Sequence, residues 1–194
     1  AMDQFFRMMT PDTGPIDAKV ISDGVAAAID RAGPSVLVTH SAGGGLGWLA
    51  AMKSQNARGI VSYEPGSGFV FPEGEAPEPI ANSGFWGPFK PVTVPASEFL
   101  KLTKYPVVIY YGDNIPKAPV SQPHQDYWRA ALQMAKLWAE AVNHHGGHAE
   151  VVLLPEKGLK GNTHFMMSDR NNQQVAGLLT QWLHDNQLDA KPQK

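Results

Sequence analysis

A chain of 194 residues, 43% hydrophobic and 18% charged, is of single-domain size and has apolar residues enough for a buried core. Its formal net charge of -2, with no basic run or stripe, argues against a nucleic-acid or anionic-membrane partner. The longest apolar runs are too short to span a bilayer, and the lack of cysteine excludes disulfides and thiolate metal sites.

Ala18 to Arg31 has helical spacing, with Val20, Ile21, Val25 and Ile29 near one face, Asp17 or Asp12 as cap, and Gly33-Pro34 as stop. Ser35 to Thr39 follows as a short apolar strand of the kind buried on both faces of a parallel sheet. Ala42 to Lys53 returns to helix, and Gly59 to Tyr63 is a second strand ended by Glu64-Pro65-Gly66. From Gly66 to Leu100 the chain is rich in Pro, Gly, Phe and Trp without a period, which predicts a long ordered excursion. Pro106 to Tyr111 is a third strand, Asp126 to Val142 a helix with Leu132, Met134, Ala135 and Leu137 for burial, and Ala149 to Leu154 a fourth strand. A polar loop carries His164, Ser168-Asp169 open a last helix running to His184, and the polar tail after Leu188 is expected to fray.

This alternation predicts an α/β fold: a mostly parallel sheet with helices on both faces. Right-handed crossovers align the strands' C-terminal ends along one edge, so Ser41, Glu64, Asp113 and His164 could meet there despite their separation in sequence. Thr39-His40-Ser41-Ala42-Gly43 has the form of a strained strand-to-helix turn. Such a turn lifts a serine oxygen above the sheet and aims the next backbone N–H at a developing oxyanion. Thr39 replaces the first glycine of the G-x-S-x-G pattern and Gly43 keeps the second. Ser41 read alone is a helix cap; an acid and a histidine after later strands make it a nucleophile.

With these residues in view, the chain resembles the C-terminal part of an α/β-hydrolase of the bacterial carboxylesterase type. The segments VLVTHSAGGGLGW, ARGIVSYEPG, YPVVIYYGD and GNTHFMMSDRNNQQVAGLLTQWL match in order a nucleophile elbow, an acid strand, the penultimate strand and the histidine loop with its final helix. The resemblance implies an α/β-hydrolase fold whose N-terminal strands are absent from this chain, residues 66–100 forming a lid or pocket. It also implies a serine hydrolase that cleaves carboxylic esters through an acyl-enzyme, with Ser41 as nucleophile, His164 as base and Glu64 as acid. Asp113 is the alternative acid, standing where most of the family place theirs. No cofactor is called for. A non-catalytic hydrolase-like binding module, or lactone, thioester or amide cleavage on the same scaffold, are the competing readings.

His40 beside the nucleophile reads as structural support. His144 and His148 are four apart, but Gly146-Gly147 breaks the helix that would hold them on one face, so a metal site is not expected. The polar helix end accounts for them better, and His124 and His184 carry no signal. Trp48, Phe69, Phe71, Trp86 and Met166 are the expected walls of an apolar or aromatic substrate pocket. The Ala42 N–H is the one oxyanion donor that can be named; a second comes from an earlier loop in the family and is worth about 2.7–4 kcal/mol. These residues are therefore expected to be one piece of a larger enzyme, partnered by an N-terminal segment of the same hydrolase. Ala1-Met2 would be a cleavage point or a cloning remnant, and assembly into a homo-oligomer is left open. The compartment is also left open: periplasmic or secreted if a leader was removed upstream, otherwise cytoplasmic.

Overall fold

The computed structural model describes residues 2–8 and 14–189. After a short helix α1 (Met2–Met8), the Asp17 carboxylate caps α2 (Ala18–Ala32), accepting the Lys19 and Val20 amides at 3.0 Å each. The other candidate cap, Asp12, lies outside the described residues, as does the end of the tail from residue 190. There follow β1 (Ser35–His40), α3 (Gly43–Lys53) and β2 (Ala57–Tyr63). The excursion holds two short strands, β3 (Val70–Pro72) and β4 (Val92–Val94), and a single helical turn, α4 (Ala96–Phe99). The chain then runs through β5 (Pro106–Tyr111), α5 (Pro123–His144), β6 (His148–Leu153) and α6 (Asn172–Asp185).

The main sheet has the order β1-β2-β5-β6, parallel at every pairing. Alternate strand residues point to opposite faces and build two cores. Ile60, Val107, Ile109 and Tyr111 join Ile29 of α2 and the inner faces of α3 and α5, where the Trp48 and Trp138 rings stack at 4.5 Å. Val61, Tyr63, Val108, Tyr110 and Val152 join Val175 and Trp182 of α6 on the other face. This is the α/β architecture expected from the alternation of elements.

Two glycines explain how α3 sits so close to its neighbours. A Cβ on Gly44 would lie 2.5 Å from Pro65 Cβ, and one on Gly45 would lie 2.9 Å from the Cα of Gly68. The helix behind Ser41 therefore packs backbone to backbone against the start of the excursion, which no larger residue permits.

Three expectations are corrected. The strand β1 is not buried on both faces: it is the sheet's edge, and Val38 is 58% exposed. Likewise Val20, Ile21 and Val25 of α2 are exposed, because α2 packs through Ser22, Ala26 and Ile29 instead. The last helix begins at Asn172 rather than at Ser168-Asp169, since Met166–Ser168 forms a 3-10 turn and the Asp169 carboxylate is taken up by Thr163.

Candidate active site

Parallel register does the first part of the work. His40 lies opposite Tyr63, and Tyr63 opposite Tyr110, so the residues that follow β1 and β2 leave the sheet side by side. The Ser41 amide donates to the Tyr63 carbonyl at 3.0 Å, and the Glu64 amide to the Tyr110 carbonyl at 2.8 Å. Both residues then adopt left-handed backbone, φ 57° at Ser41 and 41° at Glu64. Non-glycine residues hold that conformation only where surrounding structure fixes it. Here the Ser41 carbonyl accepts the Gly44 and Gly66 amides at 3.1 and 3.3 Å, and Tyr111 and Tyr127 hydroxyls donate to the Pro65 and Gly66 carbonyls. Burial raises the Tyr111 hydroxyl well above the ordinary tyrosine range, so it stays a donor.

Glu64 is 3% exposed, and both its carboxylate oxygens are engaged. One carboxylate oxygen accepts the Gly112 amide at 2.7 Å, and the other faces His164 Nδ1 at 2.6 Å. Against an ionised carboxylate, which can only accept, Nδ1–H is the donor, and in the neutral ring that tautomer leaves the Nε2 lone pair facing the other way. Ser41 Oγ lies 2.9 Å from that Nε2, placed to donate to it. Hydroxyl, imidazole and carboxylate thus lie in one hydrogen-bonded row that spans 123 residues of sequence.

Asp113 stands apart from it. Its carboxylate accepts the Gly161 amide at 2.8 Å and the Asn114 amide at 2.7 Å, and these bonds hold it below the usual carboxylate range. With its own amide donating to the Asn162 carbonyl at 3.0 Å, Asp113 fastens the loop that carries His164. Fully buried Asn162 trades side-chain bonds with Asn171 at 2.7 and 2.9 Å, and the Thr163 amide donates to Asp169 at 2.7 Å. His40 completes the clamp: its Nε2–H donates to the His164 carbonyl at 2.8 Å, and the two rings lie 4.4 Å apart. On its other side the His164 ring meets Trp128 at 4.5 Å.

Ser41 and Ala42 open onto a cavity of about 410 Å³ walled by Ser67, Trp86, Tyr127 and Trp128. Of the expected pocket residues, Trp86 is there. Trp48, Phe69, Phe71 and Met166 are not: all four are at most 1% exposed and belong to the two cores. Their spacing signalled apolar character, which a core uses as readily as a pocket. Tyr127 and Trp128 were missed, as was His124, which also lines the cavity. They open α5, the helix that follows a strand's C-terminal edge after a proline-rich loop, and that position was the available signal. The excursion is tied down by Asp126, which accepts the Ser83 and Val120 amides and the Arg129 side chain. The Arg129 guanidinium pulls the Asp126 carboxyl down to about 2. Among the described residues, no group of three or more His, Cys, Asp or Glu is placed to hold a metal ion, and no helix is long and apolar enough to cross a membrane.

No protein-family model matches the chain. It is 26% identical, over 189 residues, to the probable secreted lipase phiG of Fungal sp. (strain ATCC 74256), covering 87% of this chain and 51% of that protein. It also superimposes on a solved structure described as a novel bacterial esterase with a TM-score of 0.66 at 28% identity, covering 95% of this chain and 49% of the esterase. The chain spans about half the length of each of these relatives. In fold and in sequence it resembles an esterase of the α/β-hydrolase kind.

Proposed function

We propose that the chain carries the catalytic residues of a serine hydrolase that cleaves carboxylic esters. The observation that supports this most is the relay of Ser41 Oγ, His164 Nε2 and Nδ1, and Glu64, closed at 2.9 and 2.6 Å. His164 takes the Ser41 proton as the oxygen attacks the ester carbonyl, and Glu64 steadies the imidazolium that forms. The Ala42 amide, at the start of α3, faces the oxyanion. Collapse of the tetrahedral intermediate expels the alcohol, which takes the proton from His164. Water, deprotonated in turn by His164, then releases the acid.

Residues 66–100 serve this site by supplying Trp86 and by fixing the turn after Glu64. A second oxyanion donor is assigned to a further segment of the same hydrolase. The exposed apolar residues along β1 and α2 and the twofold length of the relatives favour such a partner.

The test is hydrolysis of p-nitrophenyl acetate. An initial burst of p-nitrophenol stoichiometric with protein, absent in Ser41→Ala, is the expected result. Hydrolysis that survives Ser41→Ala would end the proposal, as would the absence of any reaction with esters, lactones or thioesters.

A further inference from the structure

The wall beside Ser41 carries three large rings, Trp86, Tyr127 and Trp128, two of them held from behind and Trp86 open to solvent. Trp86 meets Tyr127 edge to face at 5.1 Å, and Tyr127 meets Trp128 in the same way at 5.7 Å. Tyr127 is pinned through its hydroxyl to the Gly66 carbonyl, and Trp128 rests against His164. A Cβ on Gly66 would sit 3.0 Å from the Trp128 ring, so the turn and the indole fit closely. None of the residues lining the cavity carries a carboxylate, ammonium or guanidinium.

We infer that the group bound beside Ser41 is a neutral aromatic ring, so that the substrates are uncharged esters with an aryl group within one or two carbons of the scissile ester. This deepens the proposed ester hydrolysis and rests on it. Rings set edge to face leave flat surfaces and edges that suit another flat ring, and the open face of Trp86 is free to meet one, with a quadrupolar contact beyond area burial. A flexible alkyl chain would instead lose rotamer freedom on binding without gaining that contact. A cationic substrate group would give up hydration here with no carboxylate to receive it, and an anionic one would meet only the His124 imidazole. A cavity of about 410 Å³ takes a molecule of one or two rings.

Matched esters separate ring recognition from leaving-group chemistry. Benzyl acetate and cyclohexylmethyl acetate release alcohols of comparable reactivity and nearly equal bulk. The expected kcat/KM ratio favours the benzyl ester by about 3- to 10-fold, the range of one aromatic contact. Trp86→Leu should bring that ratio toward unity while Trp86→Phe keeps most of it. The benzyl ester should also exceed the anionic benzyl hemisuccinate about tenfold. Binding of the same esters to Ser41→Ala, followed by tryptophan fluorescence, reads the cavity without turnover. Preferential binding of the benzyl ester by Ser41→Ala supports the inference even if hydrolysis were to fail. Equal binding and equal turnover of the matched pair, or a ratio that ignores Trp86→Leu, would overturn it while leaving ester hydrolysis intact.

Discussion

The turns that follow β1 and β2 and the aromatic wall opposite them face the same cavity but are built by opposite means. The turns are polar and strained: two left-handed residues, Ser41 and Glu64, held by backbone hydrogen bonds in every direction, with Glu64 buried. The wall is apolar and partly open, with Trp86 72% exposed, and it is held from behind by the Asp126–Arg129 pair on α5. A chemical relay needs fixed distances between a few atoms, and hydrogen bonds supply them. A substrate wall needs shape and apolar area, which packing supplies without strain. Substitutions on the first side should therefore abolish turnover, and those on the second should alter what is turned over or how firmly the wall stands.

The largest expected effects lie in the relay. Ser41→Ala should lower kcat by about 10⁴- to 10⁶-fold. Glu64→Gln should lower it about 10⁴-fold, because the amide can donate to Nδ1 and favour the wrong tautomer. Asp113→Asn, which leaves the relay complete and loosens only the Gly161 tie, should cost about tenfold or less. Steady-state kinetics on the three variants checks the order, and Asp113→Asn exceeding Glu64→Gln would move the acid to the later strand.

Next comes the support of the wall. Asp126→Ala would leave Arg129 buried without its counter-charge, and urea unfolding should show a loss of about 3–5 kcal/mol. The pH dependence follows from the sign of the shift. Asp126 is held down to about 2, so its contribution is fully present above the ordinary carboxylate pKa, shrinks as pH falls below it, and is gone once pH has fallen through about 2. Amide exchange at Ser83 and Val120 should accordingly stay protected at pH 3.

Smaller effects are expected where the two regions touch. Gly45→Ala forces a methyl to 2.9 Å from the Gly68 Cα, an overpacking that should cost about 1–3 kcal/mol in thermal or urea unfolding. The smallest belongs to His40→Phe, which keeps a ring against His164 but removes the N–H that holds its carbonyl. A loss of about 1 kcal/mol in stability is expected, with kcat lowered severalfold.

Much of this was legible in the chain because strands and helices alternate with clear periods and turn residues mark each strand end. Parallel connections then place Ser41, Glu64 and His164 on one edge without further information. What was not legible depends on neighbours. Val38 reads as a core residue but lies at an edge, and no local pattern says which strand is outermost. Phe69 and Phe71 read like Trp86, yet two are core and one is cavity wall, because the excursion has no period to say which side faces α5. Glu64 and Asp113 both follow strands with turn signals. The sequence favours Glu64 but does not foretell the side chains' partners, Gly112 and His164 for one and Gly161 and Asn114 for the other.

The proposed nucleophile owes its reactivity to an imidazole delivered by the last loop, and that dependence can be read directly. Treating the protein with a fluorophosphonate and mapping the adduct by peptide mass spectrometry should find it on Ser41, with labelling suppressed in a folded His164→Ala variant. An adduct on another residue, or undiminished labelling of Ser41 without His164, would contradict the account.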